Sequence, residues 1–114
     1  MLKVIKGGVT AAKGFSAAGC AAGIKKNGNA DMALIACEKP CVTAGTFTTN
    51  LVKAAPVLWD KAFVEEKRAS QAIVVNSGVA NACTGQEGLR YCAETAEAAG
   101  AALAIDRLRI LPKK

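Results

Sequence analysis

The side chains able to do chemistry are defined first by an absence: the 114 residues contain no histidine. Histidine triads, histidine metal ligands and a histidine general base are thereby excluded within this chain. The cysteines are Cys20, Cys37, Cys41, Cys83 and Cys92. Their number is odd, none forms a Cys-x-x-Cys pair, and the expectation is reduced, buried thiols acting as small hydrophobes. Cys37 and Cys41 lie four apart with Pro40 between them. A zinc site there would need two more ligands at suitable spacing, and the sequence offers none. A cysteine nucleophile would need an activating base that the chain lacks. No metal or cofactor ligand set is therefore expected.

Two polar clusters remain. The first is Asn76-Ser77-Gly78-Val79-Ala80-Asn81-Ala82-Cys83-Thr84-Gly85, between an apolar run and a helical one. Asn76, Ser77, Asn81 and Thr84 offer hydrogen-bonding side chains, and the following helix would offer free amides and a positive dipole end to an anion. The loop matches neither GxGxxG nor GxxxxGK, so no nucleotide is implied. The plainer alternative is a loop whose polar groups satisfy its own backbone and cap the helix. The second cluster, Thr46-Phe47-Thr48-Thr49-Asn50, reads as a strand end. A threonine nucleophile typically draws on the amine of its own chain terminus, and none of these is terminal. Glu65-Glu66 and Lys67-Arg68 read as the end of a solvated helix rather than an acid/base pair.

These clusters must be held by elements. Phe15 to Ile24 is nearly all Ala, Gly, Cys and Ser, and predicts a strand with Ala18, Cys20, Ala22 and Ile24 on one face. Asn27-Gly28 marks a hairpin turn. Met32 to Cys37 is apolar at every position and predicts a strand covered on both faces. Val42 to Thr49, rich in Thr, Val and Phe, predicts a third strand completing an antiparallel meander. Leu51 to Leu58 extends that sheet, with Pro56 at an edge or bulge. Asp60 caps a short helix over Lys61 to Lys67. Gln71 to Val75 predicts a buried strand. A helix follows from Gly85 to Ala104, with Thr84 and Glu87 as a capping box and a buried stripe of Leu89, Cys92, Ala96, Ala99 and Leu103. Gly100 is unfavourable late in that run. Arg107 to Leu111 alternates as a strand beginning.

Hydrophobic residues make up 52% of the chain, but 24 of them are alanine. The core must therefore pack small side chains closely. No run reaches the roughly 18 to 20 apolar residues of a membrane span, and no secretory h-region precedes Gly7-Gly8. The net charge of +6 is scattered, with little aromatic interleaving, and reads as a solvated basic surface rather than a nucleic-acid footprint. Lys13-Gly14-Phe15 opens like an RNA-binding strand, but Ser16-Ala17-Ala18-Gly19 lacks the stacking aromatics. The residues alone thus imply a cytoplasmic α/β domain, with no nucleic-acid or membrane partner and one anion-friendly loop.

Five ordered blocks carry more. They are Gly8-Val9-Thr10-Ala11-Ala12-Lys13-Gly14-Phe15, Ala21-Ala22-Gly23-Ile24-Lys25-Lys26, Ala44-Gly45-Thr46-Phe47-Thr48-Thr49-Asn50, Val52-Lys53-Ala54-Ala55-Pro56-Val57, and Val74 through Gly85. In this order they closely resemble the N-terminal part of the bifunctional glutamate N-acetyltransferase/ornithine acetyltransferase family of arginine biosynthesis. Val79 stands where that family usually has Asn. The resemblance implies a layered α/β fold with stacked, mostly antiparallel sheets covered by helices, of which residues 1–114 are a single N-terminal, alpha-chain segment ending before the catalytic region. It implies a longer precursor that cleaves itself before a threonine. That threonine takes acetyl from N2-acetyl-L-ornithine and passes it to L-glutamate, its free amine serving as base. The implied partners are the beta chain of the same precursor and a second copy in a heterotetramer, with small molecules as substrates. Acetyl-CoA is an open question as co-substrate of the full-length enzyme. No catalytic, cofactor-binding or metal residue of the family maps onto this chain. The alternatives are a non-catalytic remnant acting as a small binding domain and a basic nucleic-acid-binding module.

Overall fold

The computed structural model describes residues 1–79 and 85–113. Six elements follow a short 3₁₀ turn at Val9–Ala11: strands β1 (Phe15–Cys20) and β2 (Met32–Cys41), helix α1 (Ala55–Glu65), strand β3 (Ser70–Asn76), helix α2 (Gly85–Leu103) and strand β4 (Ile110–Lys113). They build one four-stranded sheet of order β1-β2-β3-β4. The first three strands are antiparallel, in register from Phe15↔Cys37 to Cys20↔Met32 and from Met32↔Asn76 to Ala36↔Ala72. β4 is parallel to β3, with Ala72 beside Ile110 and Val75 beside Lys113. A parallel pair needs a long crossover, and α2 supplies it.

Directly paired residues share a face. Leu34, Val74 and Pro112 therefore lie side by side on one face, and Ile35, Ile73 and Leu111 on the other. Both helices cover the first face. The centre of the core is Ala72, Val74, Ala96 and Ile110, with Leu34, Trp59 and Leu103 packed around it. The Trp59 Nε1 donates to the Ile110 carbonyl at 3.3 Å, which ties α1 to β4. Fully burying a side chain such as Ile110 or Phe63 stabilises by about 1.5 to 3 kcal/mol.

The buried residues of α2 are Gly88, Cys92, Ala96 and Gly100, a line with a four-residue step, of which Ala96 packs into the sheet core. Leu89, Ala99 and Leu103 flank it half-buried. Small side chains let helix and sheet approach, as the alanine content requires. Gly100 has a specific duty. A Cβ there would lie 2.6 Å from the Ile105 carbonyl oxygen, because the chain folds back over the helix end. The Ile105 amide donates to the Gly100 carbonyl at 3.0 Å, and Ala104 between them is left-handed at φ +54°. This is a Schellman ending. α1 ends the same way, with Arg68 N–H donating to Phe63 O and Lys67 at φ +53°.

Several expectations are corrected. β1 stops at Cys20, so Ala22 and Ile24 are not on its face: their amides donate to the Asp31 carboxylate, and Asn27-Gly28 lies within a long connection instead of closing a tight hairpin. Val42 to Thr49 is irregular, and the third strand of the meander is β3. Between Ala36 and Cys41, β2 leaves its register, so no free ladder is left for the residues that follow. Thr43 turns instead to Ser70, with its Oγ1 2.6 Å from the Ser70 Oγ. Leu51 to Leu58 does not extend the sheet, because helix α1 begins at Ala55. Pro56 sits in its first turn, where a missing N–H costs nothing. Asp60 is not a cap of a helix over Lys61 to Lys67. It lies inside α1 and is buried. Among the described residues both helices lie on one face of the sheet, so Met32 to Cys37 is not covered by helix on both sides. Arg107–Arg109 is a 3₁₀ turn, and the last strand starts at Ile110. The Thr84–Glu87 capping box lies outside the described residues through Thr84. Glu87 itself accepts from the Tyr91 hydroxyl at 2.8 Å.

Candidate functional site at the carboxyl ends of the parallel strands

β3 and β4 run side by side and finish at Asn76 and Lys113. In α/β folds, ligands bind outside the carboxyl ends of parallel strands, beside the start of the crossover helix. A cavity of about 280 Å³ opens at that place. Asn76 and Pro112 reach it from the strands, Gly88, Tyr91 and Thr95 from α2, and Ile24 from the β1–β2 connection. It is near the lower size of small-molecule sites, about 300 Å³.

Asn76 is paired with Met32 in the sheet and faces the helices. Its Oδ1 is buried and has no hydrogen-bond partner among the described residues. An unsatisfied buried acceptor costs about 1 to 3 kcal/mol, so a ligand N–H or O–H would be stabilised there. The other polar groups of this wall are already engaged. Thr95 Oγ1 donates to the Tyr91 carbonyl at 2.7 Å, and Arg90 holds Glu94 at 3.5 Å.

The connection that brings Ile24 to the cavity is held by Asp31. Its carboxylate accepts from the Ala22 amide at 2.6 Å, from Ile24 at 2.7 Å and from Lys25 at 2.9 Å. Its backbone N–H donates to Cys20 O, and its carbonyl accepts from Ser77 N–H at 2.9 Å. One residue thus shapes the connection 21–30 and pins it to the loop leaving β3. Those amide donors hold the Asp31 carboxyl below the usual carboxylate value, the Ala22 amide contributing most. Gly78, at φ +104°, passes so close that a Cβ would meet Lys25 Cγ at 3.0 Å.

Of the residues singled out by sequence, Asn76 lines the cavity and Ser77 binds Asp31. Asn81 and Thr84 lie outside the described residues. The Thr46–Asn50 cluster is remote from this edge in sequence, and its side chains serve local turns: Asn50 N–H donates to Thr48 Oγ1, and Val52 N–H to Asn50 Oδ1. Glu65 and Glu66 pair on the surface with Lys61 and Arg68. The cysteines depart from expectation, since Cys20 is exposed, Cys37 and Cys41 are half-buried, and only Cys92 among those described is buried. Burial, with the Asp60 charge second, pushes the Cys92 thiol up. Asp31 was missed by sequence reading. Its signal was a lone Asp just before a strand, at the end of a Gly- and Asn-rich connection.

A meander extended by a strand–helix–strand crossover, with a small cavity at the carboxyl edge, defines a mixed α/β fold. The family is specific. The sequence model of the ArgJ family matches residues 16–113, and the chain belongs to that family. It is 50% identical over 107 residues to the arginine biosynthesis bifunctional protein ArgJ of Gloeobacter violaceus, covering 94% of this chain and 26% of that protein. It is 43% identical over 110 residues to the chloroplastic ArgJ protein of Oryza sativa subsp. indica, covering 96% of this chain and 24% of that protein. Among solved structures, it matches the ornithine acetyltransferase of Mycobacterium tuberculosis, determined in complex with ornithine. That match has a TM-score of 0.86 and 45% identity, covering 94% of this chain and 59% of the solved one. The chain spans about a quarter of the length of the curated relatives it matches. No helix among the described residues is long and apolar enough to cross a membrane.

Proposed function

We propose that this chain is the N-terminal segment of an acetyltransferase that moves the acetyl group of N2-acetyl-L-ornithine to L-glutamate in arginine biosynthesis. The observation that carries the reading is the match to an ornithine-bound ornithine acetyltransferase over 94% of the chain at 45% identity. In this reading the acetyl group is held on a threonine that self-cleavage exposes in the remainder of the precursor. The free amine of that threonine acts as base, which suits a chain without histidine. The sheet and α2 form part of the scaffold on which that remainder packs, in the cytoplasm, as a heterotetramer of two alpha and two beta chains. The chain's own residues shape the carboxyl-edge cavity: Asp31 holds the connection that brings Ile24 to it, and Asn76 presents an acceptor.

The test uses the complete precursor encoded with this segment. Purified protein given N2-acetyl-L-ornithine and L-glutamate should release ornithine and N-acetylglutamate, and the 114-residue chain alone should release neither. Omitting N2-acetyl-L-ornithine and supplying acetyl-CoA decides whether the enzyme is also a glutamate N-acetyltransferase. A complete precursor that folds and cleaves yet leaves N2-acetyl-L-ornithine intact contradicts the proposal.

A further inference from the structure

The structure brings together two cysteines that the functional reading does not use. Cys37 and Cys41 are separated by Glu38, Lys39 and Pro40. In a regular strand, four steps at about 3.3 Å would place their Cα atoms roughly 13 Å apart. The register forbids that distance. On β2 the pairing jumps from Ala36 to Cys41, five residues on. On β3 the partners are Ala72 and Ser70, two residues apart. Three residues are therefore folded out of the ladder, and the ends of the arch are drawn together. Residues opposite Ala72 and Ser70 stand only about two strand steps, roughly 7 Å, from each other. Cys37 follows the first and Cys41 is the second.

The arch is held in that form from both sides. Glu38 N–H donates to Gly14 O at 2.9 Å, and Gln71 Nε2 donates to Glu38 O at 3.4 Å. Both thiols line one small cavity with Phe15, Ser70 and Gln71, and both are half-buried, so solvent reaches them. The Cys41 thiol donates to the Lys39 carbonyl at 3.3 Å, and the neighbouring Cys37 side chain pushes its ionisation up. Among the described residues no cluster of three or more metal-binding side chains occurs, so the pair stands apart from a metal cage.

We propose that Cys37 and Cys41 form a dithiol site that a low-molecular-weight disulfide converts to an intramolecular disulfide across the β2 arch. The Cys37 thiolate attacks one sulfur of the disulfide, forming a mixed disulfide and releasing one thiolate. Cys41 then loses its proton to solvent, and its thiolate attacks the Cys37 sulfur. The second thiolate leaves, and both released thiolates take up protons. Two electrons pass from the cysteine pair to the reagent, which departs as two thiols. The arch needs little movement to reach the disulfide range of about 4.4 to 6.8 Å between Cα atoms.

The experiment treats the complete precursor that contains these residues with oxidised glutathione, natively and in urea, then quenches with iodoacetamide under denaturing conditions. Peptide mapping should find Cys20, Cys83 and Cys92 alkylated and a Cys37–Cys41 link. The link should form about tenfold faster natively than in urea, because the fold presents the two sulfurs to each other. Cys41→Ser should stop the reaction at a glutathione adduct on Cys37, and Cys20→Ser should leave the link unchanged. Circular dichroism of both variants confirms that they fold. Equal native and urea rates, a persistent glutathione adduct on Cys37 in the unmutated chain, or a different pairing would overturn the proposal. None of these readings depends on acetyl transfer.

Discussion

Three backbone amides converge on the Asp31 carboxylate, and its own N–H and C=O tie Cys20 and Ser77 at the same height. That arrangement has a pH signature. The folded chain favours the ionised form, so the folded value lies below the unfolded one of about 3.9. The stabilisation from Asp31 is full above that unfolded value and is lost as pH falls through the lower folded value. Asp31→Asn should lower the melting temperature at neutral pH and flatten its decline below about pH 4. Melting curves from pH 7 to pH 2.5 check both, and an unchanged acid decline would contradict the pin. A second residue-scale effect sits at the helix ends. Lys67 and Ala104 are left-handed without being glycine, at about 1 to 2 kcal/mol each. Ala104→Gly should raise stability by about 0.5 to 1 kcal/mol, after the extra freedom of glycine in the unfolded chain is set against the relief. Urea denaturation reads this as a higher midpoint at constant slope.

At the scale of elements, much was legible and the exceptions have physical causes. β2, β3 and α2 follow from apolar runs, and β1 does so only as far as Cys20; Asn27-Gly28 marks a turn inside the long connection 21–31 rather than a tight hairpin, because the Asp31 carboxylate gathers that segment's amides. α1 was obscured because Pro56 marks an edge strand and a helix start equally well, and only the burial of Phe63 and the packing of Trp59 against the core decide between them. Val42 to Thr49 has strand-forming residues but no ladder to join, since β2 departs from register at its arch. Propensity does not carry that information. The cavity was half legible: Asn76 and Ser77 stand in a polar run, while the burial of the Asn76 oxygen depends on how closely α2 lies. Gly100 read as a weakness in α2, yet the close return of Ile105 requires it. Gly100→Ala gains about 1 kcal/mol in helix propensity, against about 1 to 3 kcal/mol for overpacking rigid backbone. The net change should be destabilising by about 1 kcal/mol, and a stabilised variant would show that the helix end yields.

For the whole molecule, one face of the sheet carries no helix among the described residues. The other has an apolar groove of about 450 Å³ beside β1, lined by Ala18, Leu34 and Ala99 among others. Val42, Leu51 and Leu2 are almost fully exposed. The radius of gyration, 14.8 Å, exceeds the about 13 Å of a compact chain of this length. Uncovered sheet edges and apolar patches drive association. The isolated 114-residue chain should therefore self-associate at low micromolar concentration and melt with little cooperativity. A clean monomer with a sharp transition in sedimentation and calorimetry would mean that these residues close their own core.

In the proposed function, this segment supports acetyl transfer carried out by a residue it does not contain. Intact-mass analysis and peptide mapping of the complete precursor, quenched after mixing with N2-acetyl-L-ornithine, test it most directly. One acetyl group should appear per active site, on a threonine beyond residue 114, and none on any threonine of residues 1–114. Stoichiometric acetylation of a threonine within the chain, such as Thr46, Thr48 or Thr49, would contradict the account and place the nucleophile here.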